Sequence, residues 1–405
     1  MLPSRLSRHF APYFAHIPFQ IVSLITVTLL AHVTLSGGRV AASLYALKHG
    51  GSEAWAGIAF SAFGLMPVLL SLQMGRWIDR VGTRRVMRIC QLLMISGLVL
   101  SATVQSLPTI LITGLLAGTG FAGYMLAANV CVSYMDFKHE GDRVGMLAWL
   151  QMGNSVSSVL GPTFVGILID HSGYRMAFGA LAAVVVCSLL AGLRANLPDG
   201  TRESKPKSSE PSIARAVFRD ARLLRIYLLA MTVSLSWDAF TFMVPVLGQT
   251  RGYSATTIGL VLSSFAVGTF AIRALLPWLS RRMAEWRMLT VSFALAACVF
   301  FTLPLADNAL LHAALGFVFG LAAGVGQPNI LGLIYRAMPP GRAGEGAGLR
   351  AMMGNMMGLT GPSLFGAITA LFGAVPVFIM VGGIMSGSCW QARRGERSAQ
   401  ATAPA

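Results

Sequence analysis

Gly75-Arg76-Trp77-Ile78-Asp79-Arg80-Val81-Gly82-Thr83-Arg84-Arg85 is a charged island in a hydrophobic chain. Long apolar runs flank it on both sides, so it reads as a short tether between two helices. Its glycines permit a tight turn with φ > 0. Asp79 can accept hydrogen bonds at a helix end. The arginines suit anionic lipid headgroups and facing helix ends.

The surrounding composition says what those helices sit in. The chain has 405 residues, 55% hydrophobic and 11% charged, against roughly 25% charged in a soluble globular protein. A spanning helix needs roughly 20 apolar residues. Twelve such runs are expected, near 20–47, 54–75, 86–105, 108–132, 146–169, 177–195, 223–248, 256–279, 287–306, 309–336, 345–371 and 373–391. The fold class is therefore an all-α membrane protein, with the lipid bilayer as its solvent. Met1 to Phe19 is polar and basic and offers no small-residue cleavage site, so no removable signal peptide is expected.

The net charge of +16 is a matter of position, not a sign of nucleic-acid binding. One side collects Arg5, Arg8, Arg76, Arg80, Arg84, Arg85, Arg88, Lys138, Arg143, the residues from Arg194 to Arg225, Arg281, Arg282, Arg287, Arg336, Arg342, Arg393, Arg394 and Arg397. The other side holds Lys48, Arg175 and Arg251. Basic residues gather on the cytoplasmic side of membrane proteins. Both termini and the central loop are thus expected in the cytoplasm, in a bacterial-type inner membrane. Cys90, Cys131, Cys187, Cys298 and Cys389 lie in apolar runs at spacings that suit neither zinc nor a disulfide framework. No cofactor or metal is expected.

Leu197 to Arg222 carries Pro198, Pro206, Pro211, several serines and six Lys/Arg. It is a polar linker. It divides the chain into a bundle at 1–196, the linker at 197–222 and a bundle at 223–405. The halves repeat. Gly161-Pro162-Thr163-Phe164-Val165-Gly166 returns as Gly361-Pro362-Ser363-Leu364-Phe365-Gly366, and Met152-Gly153-Asn154 as Met353-Gly354-Asn355. Twelve helices in two six-helix pseudo-symmetric bundles follow.

The run G-x-x-x-D-R-x-G-x-R-R over Gly75, Asp79, Arg80, Gly82, Arg84 and Arg85 resembles the signature loop between the second and third helices of the major facilitator superfamily of secondary transporters. The second-half counterpart, Trp278-Leu279-Ser280-Arg281-Arg282-Met283, keeps the basic residues without the acid or the glycines. Tyr174-Arg175-Met176-Ala177-Phe178 resembles the family's G-x-R-x-x-F at the start of the sixth helix. Ser157, Gly161, Pro162, Val165 and Gly166 occupy the places of a G-x-x-x-G-P-x-x-G-G motif that marks the family's exporters, with Ser157 and Val165 in place of glycines. On the residues alone, Gly161, Pro162 and Gly166, with Gly361, Pro362 and Gly366, are kinks and close helix contacts. The resemblance adds a seal between the halves and export as the direction.

Ionisable residues at membrane depth are costly and point to function. Asp238 lies well inside the seventh run and Arg39 inside the first. Aligning Leu30-Ala31 with Leu229-Ala230 makes them pseudo-symmetry mates of opposite sign. The resemblance places both on a central cavity. Three readings stay open: a proton-coupling pair that breaks and re-forms, a static pair that fixes helix orientation, or no contact. Many proton antiporters of the family carry Arg in an R-x-x-Q-G-x-G stretch of the fourth helix, where this chain has Gly114 and Ala117. Arg273 and Arg350 are expected to reach headgroups, or else to attract an anionic cargo. His32 and His312 read as hydrogen-bonded packing residues or as groups that titrate near neutrality.

Tyr124, Met125, Asn129, Trp237, Gln327 and Asn329 are candidates for a cargo cavity. Met352, Met353, Met356 and Met357 offer an adaptable wall or fill helix interfaces. The leading expectation is a monomeric exporter of small organic molecules, such as drugs or an endogenous metabolite of the siderophore kind, by proton antiport. The alternatives are an importer or uniporter of a small organic anion, and a non-transporting sensor or scaffold. An enzyme is not expected, since no nucleophile–base pair or metal cluster lies at membrane depth. No phosphate loop is present for ATP.

Overall fold

The computed structural model describes residues 19–50, 52–132, 134–135, 140–195, 197–199, 217, 220–338 and 343–401. The first helices are α1 (Phe19–Gly50), α2 (Glu53–Val81), α3 (Thr83–Thr103) and α4 (Leu107–Val132). Glu140–Arg194 is helical throughout by its hydrogen bonds, yet Gly173 stands at φ 78° and ψ 175° inside it. That break makes two helices, α5 (140–172) and α6 (174–194). The second half has α7 (Ala221–Thr250), α8 (Ala255–Leu279), α9 (Glu285–Thr302), α10 (Ala309–Ala337), α11 (Ala343–Phe372) and α12 (Val375–Ala401). A single 3₁₀ turn, Leu303–Leu305, follows α9.

Side chains close the orphan amides at several helix starts. Ser52 accepts from Trp55 N at 3.4 Å, and Asn308 from Leu311 N at 2.8 Å. Asp220 accepts from Arg222 N at 2.7 Å, and Ser254 from Thr257 N at 3.2 Å. Ten of the described helices are long and apolar enough to cross a membrane, with Met152–Arg194 counted as one. Their outer faces present Leu69, Leu92, Leu160, Leu190, Leu260 and Ile379 to the surroundings. Their inner faces bury Phe60, Phe63, Phe178, Phe240, Phe319 and Phe378. Apolar surface on both faces fits a bilayer solvent. The chain is a multi-pass membrane protein.

The stretch 75–85 is not a loop. α2 runs on through Asp79 and Arg80 to Val81, and α3 begins at Thr83. Only Gly82 turns, with φ 91°, a conformation that suits glycine alone. Gly75 is an ordinary helical residue, and its Cβ direction is open. The acid that serves the turn is not Asp79. Asp199, beyond α6, accepts from Thr83 Oγ1 at 3.1 Å and from Arg84 N at 3.2 Å. Arg84 also donates to Leu197 O. The amide end of α3 thus draws its carboxylate from the start of the linker.

Gly82 marks one end of the bundle. Arg80, Arg84, Arg281, Arg336 and Arg393 lie toward the same end, here termed the basic end. The last helix extends past the expected run at 373–391 and continues to Ala401. Residues 1–18, most of the linker at 197–222, and Arg5, Arg8, Lys138 and Arg342 lie outside the described residues.

Candidate functional site

The two halves meet along α2–α11 and α5–α8, and both seams follow the repeat. A Cβ on Gly259 of α8 would stand 2.5 Å from Pro162 O, and one on Gly57 of α2 would collide with Pro362 O. A Cβ on Gly166 would collide with Ala255 O, and one on Gly366 with Glu53 O. Glycine lets the backbones touch at these points. Hydroxyl pairs sit beside them. Thr163 Oγ1 and Ser263 Oγ are 2.6 Å apart. Ser363 Oγ donates to Ser61 Oγ at 2.8 Å. The proline motif therefore lies in the seam between halves, with Gly161 turned back against Val33, Ser36 and Gly37 of α1.

One seam carries an extra tie. Asp170, at the end of α5, accepts from Ala255 N at 3.0 Å and Thr256 N at 2.7 Å. A carboxylate of one half thereby caps the first turn of α8 in the other. All these contacts lie at the end remote from the basic end.

Between the seams lies a divided cavity. The chamber nearer the basic end has about 170 Å³ and is lined by His32, Asn154, Ser155, Ser158, Trp237 and Arg273, with Ala266, Thr269 and Gln327. The chamber beyond it has about 120 Å³ and is lined by Leu35, Arg39, Val40, Phe60, Leu262 and Phe265, among others. His32, Ser158 and Trp237 border both. Trp237 is held edge-on to Phe265, with centroids 4.6 Å apart. His32 Nδ1 lies 2.6 Å from Ser157 Oγ.

Arg39 Nη1 and Asp238 Oδ1 are 4.0 Å apart. The pair joins α1 to α7 and so joins the halves. Arg39 also lies over the Phe60 ring, 5.0 Å from its centroid. Asp238 is turned away from both chambers toward α11, where its Oδ2 lies 3.2 Å from the Cβ position of Gly358. Among the described residues the other ion pair is Arg336–Glu285, toward the basic end.

Of the six cavity candidates, Trp237 and Gln327 line a chamber. Tyr124 is fully buried and lies 3.2 Å from Thr28 Oγ1 within its own half. Met125 is met by Asn154 Nδ2 at 3.9 Å. Asn329 is buried and donates to Val325 O at 3.0 Å. Asn129 is half-buried and lines neither chamber. Helix rotation decides these outcomes, and apolar helices give little sign of it. Met352 and Met356 are about half exposed, at 49% and 44%, and line neither chamber.

Arg273 was expected at headgroups, but it lies in the cavity and donates to Ser155 Oγ at 2.8 Å. His312 packs as expected, 2.9 Å from Asn308 O and 3.3 Å from Tyr253 Oη. Arginine at position 114 has no room: a Cβ there would already lie 2.8 Å from that of Ala62. Ser155, Ser158 and Arg273 are residues that sequence reading did not bring together. The spacing of Ser155 and Ser158 on one face of α5 was the available signal.

A sequence model described as Major Facilitator Superfamily matches residues 24–362. The chain is 24% identical over 347 residues to the Multidrug resistance protein MdtG of Salmonella choleraesuis, covering 83% of this chain and 84% of that one. MdtG of Salmonella typhi is similar to the same extent. Among solved structures, the nucleoside transporter NupG superposes with a TM-score of 0.78 at 14% identity, over 93% of this chain and 99% of that one. The peptide transporter POT in complex with sulfate does so with 0.78 at 14% identity, over 96% and 95%. Those likenesses show the shared fold. With its family match, helix count and paired seams, this chain belongs to the Major Facilitator Superfamily of membrane transporters.

Proposed function

We propose that the chain exports small organic molecules by alternating access, driven by proton antiport. The bundles at 1–196 and 223–405 are the two bodies that rock. The basic end is the cytoplasmic end, since Lys and Arg gather there. The membrane is then a bacterial-type inner membrane, with both termini inside.

The observation that carries the reading is the Arg39–Asp238 pair, which spans the halves beside the cavity. A carboxylate beside a guanidinium holds its charge. Without that neighbour, burial favours the protonated form. Rocking the halves apart separates the pair and lets Asp238 take a proton. Closing them returns the proton. Gly114 leaves no room for a fourth-helix arginine, and Arg39 is the cation that meets Asp238. The names of the MdtG relatives and the proline motif on α5 support export.

The hydrogen bonds between halves run from the far end down to Ser155–Arg273. Such an arrangement fits a state closed outside and accessible from the cytoplasm.

The test is retention of dye and drug panels in cells that lack their own exporters. Expression of the chain lowers retention of at least one compound, and a protonophore or Asp238→Asn restores it. Retention that falls equally with and without a protonophore counts against antiport. A second reading, uptake or facilitated passage of an organic anion, is favoured by Arg273, and the same panel run with labelled external anions separates it.

A further inference from the structure

Arg39 has its acid in Asp238, but Arg273 has none among the described residues. Its guanidinium has five N–H donors. Among the described residues it makes one hydrogen bond, to Ser155 Oγ at 2.8 Å. Its Nε is shielded from solvent and has no partner. Among the described residues no carboxylate lines either chamber. A cation this deep in a membrane protein is costly unless an anion meets it.

The neighbours of Arg273 are suited to an oxyanion. Ser158 and Gln327 line the same chamber, together with Ser155. Hydroxyl and amide donors beside a planar guanidinium match the geometry of a carboxylate. Beyond Trp237 the lining turns apolar, with Leu35, Val40, Phe60, Leu262 and Phe265. The cavity thus has a polar pole with an uncompensated positive charge and an apolar pole whose cation is already matched.

We infer that the chamber around Arg273 is the anion subsite of the cargo, and that the cargo is an amphipathic organic acid. Its carboxylate sits on Arg273, Ser155 and Ser158, and its apolar body lies past Trp237 toward Phe60 and Phe265. The inference rests on the transport reading for the existence of a cargo, but binding can be measured without transport.

The probes are 2-naphthylacetate and its neutral amide, with binding to the full chain in zwitterionic lipid nanodiscs read by equilibrium dialysis against empty nanodiscs. The carboxylate is expected to bind about tenfold or more tightly than the amide, as hydrogen bonds to a charged group allow. Arg273→Gln removes that preference by bringing the carboxylate down toward the affinity of the amide, while Arg273→Lys keeps part of it. Should Arg273→Gln lose amide binding through misfolding, Ser155→Ala with Ser158→Ala provides the second test and lowers the preference several-fold. Equal affinities in the wild type, failure of both compounds to bind, or a preference untouched in a folded Arg273→Gln or in the serine variant overturns the inference. Selective binding of the carboxylate with no movement of any compound across vesicles overturns the transport reading instead and leaves the subsite standing.

Discussion

At the scale of residues, the site depends on which charges are paired. Arg39 and Asp238 stand 4.0 Å apart, with side-chain exposures of 25% and 12%. Breaking a buried pair by removing one partner costs about 3–5 kcal/mol, because the other charge is stranded. Arg39→Gln is expected to cost less than that, about 2–3 kcal/mol, since the stranded Asp238 is not fully buried. The double variant Arg39→Gln, Asp238→Asn recovers most of the loss, as both charges leave together. Thermal unfolding of the four proteins in detergent measures this, and additive losses would show that the two groups do not interact. The existence of Arg39 and Asp238 as intramembrane charges was legible in the chain. Their distance and the turn of Asp238 toward Gly358 were not, because side-chain direction depends on helix rotation about apolar axes. Arg273 shows the same limit. Counting residues placed it near a membrane boundary, while the packing of α5 on α8 sets it against Ser155.

At the scale of elements, the repeated proline motif was the most informative stretch, since its two copies mark the two seams. The contact partners Gly57 and Gly259 went unnoticed, because a lone helical glycine gives no hint of what approaches it. Gly259→Leu places side-chain atoms where Pro162 O lies 2.5 Å from the Cβ position. The variant is expected to reach the membrane yet hold the α5–α8 seam open. A cysteine at Thr163 should then react faster with an external membrane-impermeant thiol reagent than in the parent. Unchanged reactivity would mean that the helices part there without cost. Asp170→Asn acts on the same seam by weakening a carboxylate cap worth about 0.5–2 kcal/mol. It should raise the same labelling rate by a smaller factor. The turn at Gly82 illustrates a misread element. Charged residues suggested a loop, but nothing except Gly82 prevents helix from continuing. With φ 91° and Asp199 Oδ1 2.7 Å from the Cβ position, Gly82→Ala is strained twice. A loss of about 1–3 kcal/mol is expected, read as a lower melting temperature.

At the scale of the whole molecule, the halves are tied at one end and joined by Arg39–Asp238 and Arg273–Ser155 in the middle. Alternating access requires those ties to break. Paired cysteines at Ser61 and Ser363, or at Thr163 and Ser263, should form a cross-link that stops transport, and reduction should restore it. Transport that survives complete cross-linking would rule out opening at that end. The measurement that bears most directly on the proposed mechanism uses inverted membrane vesicles with an imposed acid interior. A fluorescent dye follows interior pH as candidate compounds are added, for the wild type and Asp238→Asn. At least one compound is expected to discharge the gradient with the wild type, and none with the variant. Equal discharge by both proteins would contradict that mechanism and place proton coupling away from the Arg39–Asp238 pair.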